Sequence, residues 1–325
     1  MSKEQGVQSC GDAESVGVDT PSFFADSIDA VVAKIQSPHP FLSFEYSPRV
    51  SAKLDRNLIE QLQHISHIDA FVCTDSPLAR FKPSSILSSI KLQQALKKPV
   101  ICTLSMRDRN SIALCGDILA ANEFGLRLFL TLTGDSIKYG DCLESKGVFE
   151  DNSLKLGAII DNLNEGRAIN GKTLREKAER IYNFQVINAY ANNSQSLINK
   201  MQKKLEASHI SAFFTQPVYS LEAAEFLLTN LEKLNILNNT HCALVLGFFP
   251  VLSYKGALFL RDKLPGVYIP NQWIQSLENA HKKGIEEEKK VGLEQSLQLF
   301  KQIQKLHNKF HFMSANNPAL LEHFL

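Results

Sequence analysis

Short apolar runs alternate with longer amphipathic stretches along the chain. The first run is Phe41-Leu42-Ser43-Phe44-Glu45-Tyr46. Beyond it, Leu54, Leu58, Ile59, Leu62 and Ile65 recur every three or four positions, the period of a helix with one buried face. Seven more runs follow, at residues 68–73, 100–104, 126–132, 184–189, 210–215, 243–247 and 310–313. Helical patterns separate them, over residues 84–98, across Ile112, Leu114, Ile118 and Leu119, over 154–163 and within 284–307. Asn164-Glu165-Gly166 reads as a helix stop, and the charged stretch Thr173–Arg180 as a helical turn. Eight strand-like runs alternating with helices predict an α/β fold, a (β/α)8 TIM barrel. An open doubly wound sheet competes with it. No run, however, is followed by the G-x-G-x-x-G turn that such sheets use for dinucleotides.

The barrel changes how the length is read. At roughly 150 residues per domain, a 325-residue chain would make two domains. A barrel uses roughly 250 residues as one domain. The expected organisation is therefore a flexible leader over residues 1–24 and one barrel domain over 25–325. Net charge is +1 with 21% charged residues, which argues against a nucleic-acid partner and against an acidic disordered chain. No apolar stretch nears the roughly 18 residues of a membrane span. The N-terminal residues also lack the apolar segment of a signal peptide. The six cysteines form no C-x-x-C pair, and Cys73, Cys102 and Cys242 sit in apolar runs. Buried free thiols in a reducing cytoplasm are the expectation. No H-E-x-x-H pattern occurs, and no metal site is expected.

In a barrel, chemistry collects at the C-terminal ends of the strands. The residues that close each run are therefore the candidates. They are Glu45, Thr74-Asp75, Ser105 with Arg107-Asp108-Arg109-Asn110, Thr133-Gly134-Asp135, Tyr190 with Asn192, Thr215-Gln216, Ser253-Tyr254, and Ser314 with Asn316. Any strand turns polar on reaching water, so most of these weigh little singly. Glu45 weighs more, because a charge between Phe44 and Tyr46 is costly without a partner or a role. Gly134-Asp135 either lets a ligand approach the backbone beside a carboxylate or makes an Asx turn. Arg107-Asp108-Arg109 either binds phosphate or pairs with itself in a loop. Lys203-Lys204 falls in the helix after the fifth run, where a solvated face is the ordinary reading.

Six stretches carry a resemblance. They are Ser-Phe-Glu-Tyr-Ser-Pro-Arg (43–49), Thr-Asp-Ser-Pro-Leu-Ala-Arg (74–80), Arg-Asp-Arg-Asn (107–110), Leu-Thr-Gly-Asp (132–135), Thr-Gln-Pro-Val-Tyr (215–219) and Leu-Pro-Gly-Val-Tyr-Ile-Pro (264–270). In this order they resemble the methylenetetrahydrofolate reductases, flavin-dependent (β/α)8-barrel enzymes, from about Phe41 to the C-terminus. The Arg-Asp-Arg-Asn and Leu-Thr-Gly-Asp versions look like the short, single-barrel branch.

The resemblance implies reduction of 5,10-methylenetetrahydrofolate to 5-methyltetrahydrofolate, in one-carbon metabolism and methionine biosynthesis. It implies FAD as hydride carrier and NADH or NADPH as electron donor. It also implies a homo-oligomer or a complex with an accessory subunit. The substrate's five-membered ring must open to a 5-iminium cation, which needs a proton at N10. A carboxylic acid in an apolar setting can hold that proton, and Glu45 matches the family's acid. Asp135 matches the aspartate whose fixed charge stabilises the cation. Gln216 matches the amide that pairs with the donors and acceptors of the pterin edge. Tyr254 and Asn316 fall at further substrate positions. FAD contacts are implied for Thr74, Thr103, Ser105, Arg107, Thr133, Gly134, Asp135, Tyr190 and Asn192. Lys203 or Lys204 would meet the FAD pyrophosphate.

Three positions depart from the family. Thr103 stands where many members have His. Tyr190-Ala191-Asn192-Asn193 lacks the proline of the family's turn. Asn316-Asn317 stands where some members have Asn-Arg. These departures motivate an alternative, a non-redox folate-binding or accessory subunit derived from the same barrel. A proline dehydrogenase-like flavin barrel fits less well, since an amino-acid substrate calls for cationic clamps and not Glu45 and Gln216.

Overall fold

The structure is a computed structural model that describes residues 23–325, with side chains from Asp26 onward. Helix α1 (Phe23–Gln36) precedes β1 (Phe41–Tyr46), and α2 (Arg56–Gln63) leads to β2 (Ala70–Cys73). There follow α3 (Ser85–Leu96), β3 (Val100–Ser105), α4 (Ser111–Glu123), β4 (Leu128–Leu132), α5 (Ser153–Asn164) and β5 (Tyr182–Ile187). Next come α6 (Ser194–Ala207), β6 (Ala212–Pro217), α7 (Leu221–Asn238) and β7 (Ala243–Phe248). Three helices, α8 (Tyr254–Lys263), α9 (Asn271–His281) and α10 (Ile285–Gln304), separate β7 from β8 (Lys309–Phe312), and α11 (Pro318–Leu321) follows. The eight strands are parallel and close in sequence order, with β1 paired to both β2 and β8. Each expected run overlaps one strand, within two residues at either end, and the chain forms the expected (β/α)8 TIM barrel.

The runs read as continuous apolar segments because barrel strands are buried on both faces. Alternate residues face opposite ways. Phe44, Phe71, Phe213 and Phe248 pack outward, with the helices. The inward set is layered. Its lowest layers hold Phe41, Ala70, Ile101, Leu128, Phe184, Ala212 and Val245, then Val72, Leu130 and Phe214. Helix α1 presents Ile28, Val31, Val32 and Ile35 to this same cluster. The i, i+3, i+4, i+7 spacing gives α1 one apolar stripe, and that stripe packs on the barrel interior.

Two expectations change here. Thr173–Arg180 forms no helical turn. It runs irregularly beside the chain it has just left, through a bridge between Arg167 and Thr173 and a Leu174 N–H bond to the Gly166 carbonyl at 2.8 Å. Gly166, at φ +78°, ends α5 and reverses the chain, which offers these charged residues backbone partners outside a helix. The expected leader, residues 1–24, lies outside the described residues except for Phe23 and Phe24, which begin α1.

Candidate functional site

Above the apolar layers the inward residues turn polar, and a cavity of about 910 Å³ opens at the C-terminal ends of the strands. Glu45, Asp135 and Gln216 all line it, from β1, the β4 loop and β6. Thr74, Thr103, Arg107, Thr133, Gly134 and Lys204 line it as well.

Strand parity sets the first cluster. Ser43 and Glu45 are two residues apart on β1 and both face inward, and β1 pairs with β8 so that Ser43 stands opposite His311. Ser43 Oγ lies 3.0 Å from His311 Nδ1, and His311 Nε2 lies 3.8 Å from the Glu45 carboxylate. Glu45 thus has a partner inside the barrel, as its apolar flanks require. In the tautomer in which Ser43 donates to Nδ1, the Nε2–H of His311 faces Glu45.

Asp75 anchors the second cluster. One carboxylate oxygen accepts from Ser105 N–H at 3.0 Å, Ser105 hydroxyl at 2.9 Å and Arg109 at 2.7 Å. Arg107 donates to both oxygens of Asp108 and to the Ser76 carbonyl. The Arg-Asp-Arg motif is therefore held mostly within its own loops. Gly134 has φ +98°, and a Cβ there would lie 2.7 Å from the Arg107 Cβ. Glycine lets the chain turn tightly over this loop and present Asp135 to the cavity. Asp135 accepts from Leu78 N–H at 2.7 Å. Leu78 is left-handed at φ 55°, as are its neighbours Ser76 and Ala79. Such backbone is costly for non-glycine residues, and the Asp135 bond helps to hold it.

Gln216 is set by a close approach of β6 and β7. A Cβ on Gly247 would lie 2.3 Å from the Thr215 carbonyl. The register also shifts between Phe214 and Pro217, beside Gln216.

On the far side, Lys204 of α6 donates to Ser153 Oγ at 3.0 Å and Gln185 Oε1 at 2.8 Å. Both partners are neutral. Burial, and then the nearby charge of Lys200, pull its ammonium down to about 8. The sign for stability follows. The unfolded chain holds this proton more tightly than the folded one, so the penalty is complete below about pH 8 and lifts as pH rises toward the ordinary lysine value. Lys204→Met is expected to raise the melting temperature of the ligand-free protein by several degrees at neutral pH. The gap to wild type should close in alkali. A gap that does not change with pH rules out a strained ammonium as its source.

Six sequence candidates stand elsewhere. Ser105 spends its hydroxyl on Asp75. Tyr190 stacks on Tyr268 at 4.7 Å, and Asn192 and Lys203 are exposed outside the cavity lining. Tyr254 begins α8, gives its N–H to Glu288 and tilts its ring toward His281; Ser253, Gly256 and Phe259 line the cavity in its place. Asn316 bridges to Ser47, accepting from its N–H and donating to its carbonyl, which ties the β8 loop to the β1 loop. Polar residues that the motifs did not mark as functional also join the site, among them His311, Lys200, Asn317, Ser153 and Asn188. His307 and His311 stand four apart but do not converge, since His307 Nε2 is bound to the Leu244 carbonyl. Among the described residues no three His, Cys, Asp or Glu side chains form a metal site.

The sequence profile of the methylenetetrahydrofolate reductase family matches residues 31–325. The chain belongs to this family. No curated protein matches the chain. Among solved structures, a Clostridium thermocellum protein, described as binding two copies of 5-methyl-5,6,7,8-tetrahydrofolic acid, superposes with TM-score 0.62. It is 15% identical, over 91% of this chain and 95% of that one. EDTA monooxygenase (EmoA) of Chelativorans sp. BNC1 superposes with TM-score 0.53 at 11% identity, over 88% of this chain and 91% of that one. DmoA of Hyphomicrobium sulfonivorans gives 0.54 at 10% identity, over 88% and 86%. At these identities the structural likeness concerns the fold.

The cavity offers partners that suit a flavin, the group this family implies. Thr74 Oγ1 is buried with no partner and lies in the lining, so it calls for a polar ligand atom. Lys204 is a largely buried cation held by neutral groups only, so it calls for an anion.

Proposed function

We propose that this chain reduces 5,10-methylenetetrahydrofolate to 5-methyltetrahydrofolate, with FAD as hydride carrier. The observation that supports this most is the convergence of Glu45, Asp135 and Gln216 on one cavity. Bound FAD would supply the hydride, and NADH or NADPH would replenish it. The protein's residues do the rest. Gln216 anchors the pterin edge through its amide, which both donates and accepts. Protonated Glu45 gives its proton to N10 of the substrate, which opens the five-membered ring. His311, fixed by Ser43, holds the Glu45 carboxyl in place and faces the charge left after transfer. Asp135 keeps a negative charge near the cation that ring opening creates. The apolar layers beneath exclude water from the reacting end.

The five free cysteines of the described residues suit a reducing cytoplasm. No described helix is long and apolar enough to cross a membrane.

The first experiment is the colour of the purified protein. A flavin spectrum, bleached by NADH or NADPH and restored by methylenetetrahydrofolate, is expected. Colourless protein that FAD cannot reconstitute sinks the reading. One observation favours a second reading, a folate-binding subunit without redox chemistry: Thr103 stands in the cavity lining where many relatives have His. Equilibrium binding of methyltetrahydrofolate to colourless protein supports that reading.

Asp135→Asn is expected to slow folate reduction by about tenfold to a hundredfold, through loss of a fixed charge. It should also shift the flavin reduction potential. An unchanged potential and rate remove Asp135 from the chemistry.

A further inference from the structure

A strip of large apolar side chains lies outside the cavity, on the rim of the barrel's C-terminal face. Leu87 and Ile112 stand in the first turns of the neighbouring helices α3 and α4. Phe81 belongs to the β2 loop, which leads to α3. Leu143, Val148 and Phe149 belong to the β4 loop, residues 133–152, which leads to α5. All six are exposed among the described residues, and Ile112 and Leu143 keep 74% and 73% of their surface in water. None of the six lines the cavity, so the strip is not an extension of the site.

Hydrogen bonds join these loops into one fixed surface. Phe81 N–H donates to Asp141 at 2.8 Å, Val148 N–H to the Arg107 carbonyl at 2.6 Å, and Ser111 N–H to Glu150 at 2.6 Å. The β4 loop crosses the β2 loop so closely that Gly140 has no room for a Cβ against the Ala79 carbonyl oxygen. Leu78, Ala79 and Phe149 hold left-handed backbone, which is costly away from glycine. A connection as long as the β4 loop is uncommon in a compact domain and usually has a task. Because the surface is already ordered, docking against it costs little further entropy.

The chemistry of the strip selects its occupant. Together the six side chains leave about 600 Å² in water, at the upper end for the largest apolar patch of a monomer. A standard interface takes roughly 800 Å² from each partner, and homodimers make about 65% of it apolar. The strip therefore supplies the apolar area that one half of a stable dimer needs. Its edges carry both signs of charge, with Arg80, Lys138 and Lys146 exposed beside Asp141, Glu144 and Glu150. A strongly acidic or strongly basic partner would meet as much repulsion as attraction there. A two-fold axis instead lays the strip on its own image, where edges of mixed sign can pair with each other.

We propose that this strip is the two-fold interface of a homodimer, with a second copy of this chain as its occupant. The dimer stands whether or not the cavity holds a flavin. It also bears on the cavity, because the β4 loop begins with the residues that bring Asp135 to the lining, and Asp135 accepts from Leu78 N–H of the β2 loop. The second copy thus braces, from outside, the two loops that form this edge of the site.

The test uses the full-length protein. Sedimentation velocity between about 1 and 100 μM is expected to show monomer and dimer in equilibrium, with a dissociation constant of about 10 μM or tighter. Leu143→Glu and Ile112→Glu should each weaken association at least about tenfold, since each sets a charge into the apolar centre. Both positions are exposed, so the melting temperature of dilute protein should stay within about 2 °C of wild type. Leu237→Glu, at an exposed apolar position on α7 on the other side of the barrel, should leave association within about twofold. Hydrogen exchange at amides 136–150 should slow as wild type is concentrated, but not in Leu143→Glu. Wild type that stays monomeric at about 100 μM overturns the proposal. So does a dimer that survives both substitutions, or one that Leu237→Glu breaks as readily. Amides 136–150 protected equally at every concentration would mean that another part of the chain covers the strip, which also overturns it. A chain that stays monomeric alone and pairs only with a different protein overturns the second copy as occupant.

Discussion

Glu45→Gln is expected to slow the reduction of methylenetetrahydrofolate by about a thousandfold, while reduction of the flavin by its electron donor stays within about twofold. The two half-reactions ask different things of the cavity. Donor oxidation moves a hydride to the flavin and needs no acid at N10. Folate reduction cannot begin until N10 is protonated. Glutamine keeps the size and hydrogen-bonding reach of glutamate but has no transferable proton. It also preserves a partner for His311 Nε2, which sits 3.8 Å from the carboxylate in the native protein. The Ser43–His311 pair should therefore hold its place, and the folate should still bind. Stopped-flow absorbance of the flavin separates the half-reactions. Equal loss in both directions would show that Glu45 shapes the site and does not supply a proton.

The second large effect concerns stability. Asp75→Ala is expected to destabilise the folded protein by about 3 kcal/mol, at the lower end for breaking a buried charge pair. Asp75 is one of the few buried acids, and a single oxygen accepts from two groups of Ser105 and from Arg109. Its removal strands the Ser105 N–H and hydroxyl inside the barrel. Arg109 suffers less, because Asp117 lies 3.7 Å from it and its side chain keeps some exposure. That is why the expected cost sits at the lower end. Chemical denaturation measures it directly. A cost under about 1 kcal/mol, the range of a surface pair, would mean that the cluster is solvated and carries no load. Since Asp75 links the β2 loop to β3 and to Arg109, flavin retention should fall along with stability.

The barrel was legible because strands buried on both faces leave unbroken apolar runs, and eight such runs separated by helices admit few folds. Glu45 was legible for the same reason, since a charge inside such a run stands out. His311 was not. In Phe-His-Phe-Met an imidazole reads as one more ring of the core, and only the pairing of β8 with β1 places it beside Ser43 and Glu45. Lys200 escaped because its meaning depends on which face of α6 meets the cavity. The doublet Lys203-Lys204 drew attention to adjacent residues, although neighbours along a helix point about 100° apart. Tyr254 and Asn316 show the reverse problem. Motif order put them at strand ends, but local capping decided where they point. Ser253 caps α8 and turns Tyr254 toward His281, whereas Asn316, at φ 64°, folds back on Ser47.

Helix α1 has a further consequence for how the chain is made. Its stripe of Ile28, Val31, Val32 and Ile35 shares one apolar cluster with side chains from β1 through β7, and α1 packs next to β7, the seventh strand of the barrel. A ribosome delivers α1 before any strand, yet the surface that receives it exists only after well over half the chain has emerged. Among the described elements, the first in the chain thus docks late, with its apolar stripe uncovered until then. During that interval an uncovered apolar stripe of this kind favours aggregation.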